Sequence, residues 1–394
     1  VVTETRQPAP RVGLAVIAGE WARIGVIGFG GPPAHIALLR ALCVDRRRWL
    51  SAEEFEDGVA STNLLPGPAS TQLAIFCAWR VRGVAGGILG GLCFIVPGLV
   101  VILALAALFL ATNPPLWVLG AAAGAGAAVP AVALQAAVAL IPASWRRVGA
   151  LRARRWRWTA YFVAGVAAGA LVGSWVVLVL IACGLVEIAC VRAWRPPRNV
   201  SMSIGLVPLL VAVPLAGTAA AIAWVALKVG ALSYGGGFVI IPLMQHDAVD
   251  VYRWMSAPQF LNAVALGQIT PGPVVHTVAV VGYAAGGLAG GLLAATVAFL
   301  PSFLFVLLGG RHFDRLRRNR SIQAFLTGAG AAVIGAIAGS AVPLGLAVGQ
   351  LWQLGILAVA LVWLVALRRN VVVALVGCGV IGVVAVLAGA PIAH

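Results

Sequence analysis

Seven stretches of this chain are apolar over a length close to or above the roughly 20 residues that a membrane-spanning helix needs. They are Gly83–Ala111, Leu116–Ile141, Tyr161–Val191, Gly286–Gly310, Ile322–Val348, Leu351–Leu367 and Val371–Ala390. Lipid offers no partner to a free amide, so only helices and closed barrels cross it. These runs lack the alternation of barrel strands and are far too long for them. The expectation is an all-α polytopic membrane protein, with the lipid bilayer as its first partner. Composition agrees, with 62% hydrophobic residues, 10% charged and a mean hydropathy of +1.03.

The formal net charge is +16. The arginines sit in short loops between apolar runs, which is the positive-inside pattern of a membrane protein. No basic surface interleaved with aromatics appears, so nucleic acid is not an expected partner. The N-terminal VVTETRQPAPR lacks a signal peptide's short apolar core and cleavage site, so the first apolar run is expected to be retained. Cys43, Cys77, Cys93, Cys183, Cys190 and Cys378 are scattered singly without metal-ligand spacing and read as small packing residues. There is no HExxH, Walker loop or GxSxG, so no catalytic residue, metal or cofactor is expected.

The chain also repeats itself. Shifted by 205 positions, GFGGPPAHIALLRALCVDRRRWLSAEEFEDGVASTNLLPGP aligns without a gap on SYGGGFVIIPLMQHDAVDVYRWMSAPQFLNAVALGQITPGP. Gly25 meets Gly230, Trp49 meets Trp254, Ser51 meets Ser256, Phe55 meets Phe260, and Pro66–Pro68 meets Pro271–Pro273. After a slip of one residue, Gly86–Gly87 lies over Gly290–Gly291 and Pro97 over Pro301. This reads as two homologous units, residues 1–195 and 196–394, joined at RAWRPPRNVS.

Loop charge gives their orientation. TNPPLW, after the run ending at Ala111, is uncharged, whereas its counterpart RHFDRLRRNR is rich in arginine. One helix later SWRRVGALRARRWRW faces the neutral PLGLAVGQLWQ. Equivalent loops then lie on opposite sides, as in an inverted-topology repeat. The same bookkeeping puts the N-terminus in the cytoplasm and His394 outside, with an odd number of crossings.

Each unit carries two breaks, a glycine pair and a Pro-Gly-Pro. Irregular backbone at membrane depth survives only where it is buried in protein or lines a watery cavity. Helices restarting at Pro32 or Pro68, and at Gly237 or Pro273, would aim their partly positive amino ends at an anion. First-turn prolines lose nothing by lacking a donor. Lys228 is the single lysine in the chain, set in an apolar run, with Arg23 as its repeat mate. Both are expected to face the interior and attract an anion, the alternative being an ion pair or snorkelling to the interface. Asn63, Gln268, Thr71, Thr270 and His276 offer hydrogen bonds beside the prolines, to a desolvated oxyanion or, equally, to helix ends and neighbours. His35, His246 and His276 are candidates for proton coupling. Asp45 with Arg46–Arg48, and Asp250 with Arg253, read as loop ion pairs, and Glu53–Asp57 as the polar face of an interfacial helix.

GFGGPPAHIALLR, VDRRRWLSAEEF and NLLPGPASTQLA, repeated as SYGGGFVIIPLM, VYRWMSAPQF and QITPGPVVHTVAVVGY, resemble the chromate transporter family in its long, fused form. The resemblance implies a bacterial inner-membrane exporter of chromate, driven by the proton-motive force, that confers chromate resistance. Carried over by motif, it implicates Gly30, Gly31, Pro32, His35, Pro66, Gly67 and Pro68, with Gly235, Gly236, Pro271, Gly272 and Pro273. The second unit departs from the first at Gly237 and at Val239–Ile240, which stand where Pro32 and Ala34–His35 stood. Chromate and sulfate are both tetrahedral dianions, so sulfate is a second expected ligand; a carrier of sulfate or another oxyanion or a passive anion channel is the alternative, with a membrane-embedded enzyme or scaffold, for which no nucleophile–base constellation speaks, ranked behind them. A homodimer is compatible with such a fold, though no sequence feature argues for one.

Overall fold

The structure is a computed structural model that describes residues 12–63, 65–149, 151–171, 176–192, 217–233, 240–310 and 319–391. Gly235, Gly236, Gly237 and the linker RAWRPPRNVS beyond its first residue, Arg192, lie outside the described residues. Among those described, every regular element is helical. Four segments are long and apolar enough to cross a membrane: Ala69–Phe109, Leu116–Val148, Val274–Gly309 and Arg320–Leu346. Shorter apolar helices cover Val176–Val191, Thr218–Leu232, Leu351–Ala366 and Val371–Leu387. The protein is an all-α, polytopic, membrane-embedded chain.

The first unit begins with α1 (Leu14–Ile27), α2 (Pro32–Arg40), α3 (Ala52–Thr62) and α4 (Ala69–Phe109). α1 buries Ile17, Trp21, Ile24 and Gly25, a stripe at helical spacing that packs on α4, where the Trp21 indole donates to the Ala74 carbonyl at 2.9 Å. α3 starts with a capping box, Ser51 and Glu54 each satisfying the other's backbone amide. α4 is two helices folded back on each other, with non-helical backbone at Arg82 and Gly83, Gly83 lying at φ +66° and Gly90 and Gly91 of the second leg packing on Ala78 and Ile75 of the first. The long apolar run read from the sequence starts at that bend. α5 (Leu116–Ala127), α6 (Val129–Val148), α7 (Arg152–Leu171) and α8 (Val176–Arg192) follow. The run Tyr161–Val191 is thus carried by two helices, the first beginning at Arg152.

The second unit supplies α9 (Thr218–Leu232), α10 (Ile240–Gln245), α11 (Ala257–Ile269), α12 (Thr277–Gly309), α13 (Arg320–Leu346), α14 (Leu351–Leu361) and α15 (Val371–Leu387). Several local features recur at the offset of 205. π-Helical turns span Ala41–Arg46 and His246–Val251, Arg48 and Arg253 both take a positive φ, and Ser256 with Gln259 forms a second capping box. α12 bends at Gly286–Gly287 much as α4 bends at Arg82–Gly83.

The two units interlock. α13 packs along α7 and α8, and α15 along α5. Glycines allow the closest approaches: a Cβ on Gly165 or Gly169 would stand 2.0 or 2.3 Å from the Ala332 or Ala336 carbonyl oxygen. Gly335 and Gly339 meet the Phe162 and Val166 carbonyls as tightly, at 2.0 and 2.1 Å. Small residues four apart on both helices form the seam, which lets backbones touch where lipid supplies no hydrophobic drive to associate.

Candidate functional site

The first break follows α1. Gly30 and Gly31 have φ of +97° and +74°, which turns the chain so that Pro32 and Pro33 open α2 at its first two positions. One turn into α2, His35 is wholly buried, with its Nε2 2.9 Å from the Gly28 carbonyl oxygen. That oxygen has a second partner, the Gly272 amide, which donates to it at 2.9 Å from the other unit. Across the repeat the relation returns: the Gly67 amide donates to the Ser233 carbonyl at 2.5 Å. Ser233 caps α9 and is the repeat mate of Gly28. Each Pro-Gly-Pro therefore docks on the end of the helix that precedes the other unit's glycine break.

This geometry explains the tripeptide. Two prolines leave the turn a single amide, that of the glycine between them. Gly67 and Gly272, at φ +117° and +94°, point that amide outward in a conformation L side chains rarely adopt. Pro68 and Pro273 precede the restarting helices as N-caps with extended backbone instead of occupying the first turn. The expectation of first-turn prolines holds for Pro32 and is corrected for these two, because an N-cap needs the extended ψ that they carry. Pro66 is tied down by Gln72, whose Nε2 donates to its carbonyl at 2.6 Å.

Thr71, Gln268, Thr270 and His276 are buried around the two crossings, while Asn63 is an exposed C-cap of α3 and Pro66 is exposed beside it. Asn63 is thus not brought to the buried group. Thr270 donates to the Gly267 carbonyl at 3.4 Å. Thr71 Oγ1, Gln268 Nε2, Gln72 Oε1 and Ser233 Oγ are buried without a hydrogen-bond partner, as are His35 Nδ1 and both ring nitrogens of His276. Phe94 stands edge-on to His35 at 5.0 Å between ring centroids, and Phe299 to His276 at 5.3 Å. Gly98 of α4 closes the first crossing, since a Cβ there would lie 2.1 Å from the Pro271 oxygen and 2.8 Å from His276.

The two cations behave differently. Arg23 is exposed, on the side of α1 opposite its buried stripe, which corrects the expectation that it faces the interior. Lys228 is buried and its Nζ lies 2.5 Å from Asp247 Oδ2, the ion-pair alternative. The same two elements are tied in the first unit with the signs exchanged, Glu20 of α1 holding Arg46 and Arg47. Those arginines were expected on Asp45, which is exposed; Asp250 pairs with His246 at 3.1 Å. Arg40 and Arg80 reach Glu56 and Glu54, so the acidic face of α3 is bound to its neighbours.

Gly28, Ser233, Gln72, Gly98 and the two phenylalanines were not singled out from the sequence. The offset of 205 pairs Gly28 with Ser233, and that was the available signal. Among the described residues no group of three or more His, Cys, Asp or Glu is placed to hold a metal.

The sequence model of the chromate transporter family matches residues 16–188 and 220–383. A chromate transport protein of Cupriavidus metallidurans is 32% identical over 347 residues, covering 85% of this chain and 84% of its own. One of Pseudomonas aeruginosa is 32% identical over 406 residues, covering 96% and 94%. A probable chromate transport protein of Synechococcus elongatus is 30% identical over 346 residues, covering 85% and 86%. No solved structure matches the chain. With more than half its length matched by the family model and relatives aligned nearly end to end, the chain belongs to the chromate transporter family.

Proposed function

We propose that this protein is a secondary active transporter that exports chromate across a bacterial inner membrane, by alternating access between two inverted units, residues 1–195 and 196–394. The observation that carries the reading is the pair of crossed breaks, in which each unit's Pro-Gly-Pro amide is held by a carbonyl of the other. A movement of one unit against the other must remake these contacts, so access and packing are coupled at the same place. The buried donors around them, from Thr71, Gln268 and His276, suit a desolvated oxyanion.

Orientation finds support in a cavity of about 480 Å³ lined by Thr112, Asn113, Gln259, Asn262, Ala347 and Gln353. It gathers residues of the two arginine-free stretches TNPPLW and PLGLAVGQLWQ. On this reading it opens to the periplasm, with the N-terminus in the cytoplasm and the C-terminus outside. Outward movement of a dianion gains about 4.6 kcal/mol from each 100 mV of interior-negative potential, so the proton-motive force can drive it.

The test is chromate uptake into everted membrane vesicles, with and without an energised membrane and with excess sulfate. Energy-dependent uptake that sulfate weakens and Gly272→Val abolishes supports the reading. Uptake equal to that of empty vesicles, in protein shown to be folded, overturns it; uptake that ignores energisation favours a passive channel.

A further inference from the structure

We propose that the Gly28–Gly272 crossing binds its oxyanion together with a proton, which is held on the His35–His276 pair. The inference rests on the transport reading above and specifies what enters the site with the anion.

The argument begins with a tautomer. A carbonyl oxygen only accepts, so the Nε2 of His35, 2.9 Å from the Gly28 oxygen, carries the ring hydrogen. The neutral ring then has a bare lone pair on Nδ1, which is buried and without a partner. His276 is wholly buried and makes no well-formed hydrogen bond at either nitrogen, so one of them is also a bare acceptor when the ring is neutral. Buried polar atoms left unpaired are costly and rare. Here three fall on two rings that flank one hydrogen bond, His35 reaching the Gly28 oxygen and His276 lying 3.0 Å from where a Cβ on Gly272 would stand.

A bare lone pair repels an oxyanion, and a proton reverses this. It turns Nδ1 of His35, or the acceptor nitrogen of His276, into a donor and adds a positive charge to the pair. Among the described residues facing the two rings, no other group supplies that charge. α1 presents the Gly28 carbonyl, α4 presents Phe94, Gly98 and the Ile95 carbonyl, which faces His276 without a well-formed hydrogen bond, α12 presents Phe299, and the titratable group beside His276 is His35 of α2. The other crossing lacks this chemistry, since the repeat places Thr71 where His276 stands and Ile240 where His35 stands. The anion site is therefore single and asymmetric although the crossings repeat.

Anion and proton then strengthen each other's binding by the same factor, as linkage requires. The proton comes from solvent with the anion and leaves with it. A dianion moving outward with one proton still carries net negative charge, so the membrane potential drives the step and the proton is not exchanged against the anion. Both rings are sealed from solvent in the conformation described, which fits an occluded state of such a cycle.

The experiment is calorimetric titration of chromate into the full-length protein at pH 8, where chromate is essentially the dianion, in two buffers of different ionisation heat. About one proton should be taken up per chromate bound. His276→Gln and His35→Gln, each checked for monodisperse elution and helicity, should lose that uptake and bind at least about tenfold more weakly. Chromate binding with no proton uptake or with proton release would overturn the proposal, as would unchanged uptake in both variants. No binding of chromate or sulfate by folded wild-type protein would instead remove the transport reading beneath it.

Discussion

The amide of Gly272 donates to the carbonyl of Gly28 at 2.9 Å, joining the Pro-Gly-Pro of one unit to the glycine break of the other. Gly272 can do so because its φ of +94° is open to glycine and strained for other residues. Gly272→Ala should cost about 1–2 kcal/mol in backbone strain alone, and its Cβ would press on His276 at 3.0 Å. Chromate transport should fall to background while the protein still inserts. Gly83→Ala is the control: its φ is +66° but nothing lies within 4 Å of an added Cβ. It should lose a comparable amount of thermal stability and keep transport, and if both variants transport equally the crossing is not the moving part.

Lys228 and Asp247 form a buried pair, so removing one charge takes from the other its counter-ion at 2.5 Å. Lys228→Ala should destabilise by about 3–5 kcal/mol, seen as early aggregation of solubilised protein on heating. A double variant, Lys228→Met with Asp247→Leu, should recover most of that stability and retain transport. Recovery of stability without transport would return Lys228 to the anion path.

The α7–α13 seam gives a purely structural expectation. At Gly335 an added Cβ would stand 2.0 Å from the Phe162 carbonyl oxygen, which is backbone and cannot yield. Gly335→Leu should force the helices apart and cost more than the roughly 1–3 kcal/mol of ordinary overpacking. Gly345→Leu, on the same helix with nothing within 4 Å, should be nearly silent in the same melting assay.

How far the sequence reached can be judged residue by residue. Runs starting at Gly83 and Gly286 were legible because a lipid-facing helix must be apolar throughout, and the structure bends at those positions. The two Pro-Gly-Pro turns were legible as breaks because proline removes donors wherever it stands. Their crossed docking was not, since a hydrogen bond between Gly67 and Ser233 depends on how two units nest, which periodicity does not encode. Arg23 was misplaced for a similar reason. Its repeat mate Lys228 is drawn inward by Asp247, and the first unit has Leu42 at that position. The capping boxes at Ser51 and Ser256 are spelled out in SAEE and SAPQ, a local signal much shorter than the apolar runs around it.

The last expectation concerns orientation. Thr112 follows α4 and Gln350 precedes α14, and both loops are free of arginine. The first contributes Thr112 to the 480 Å³ cavity and the second is flanked there by Ala347 and Gln353. Arg147, near the end of α6, stands in an arginine-rich stretch in which Arg155 lies over the Trp145 ring. If arginine marks the cytoplasmic side, single cysteines at 112 and 350 in a cysteine-free background should react with an impermeant maleimide from outside the cell. A cysteine at 147 should react only after the membrane is opened. Residues 112 and 350 lie one helix apart in the repeat, so labelling them from the same face requires the two units to be inverted. Labelling from opposite faces would make the repeat parallel and remove the alternating-access reading.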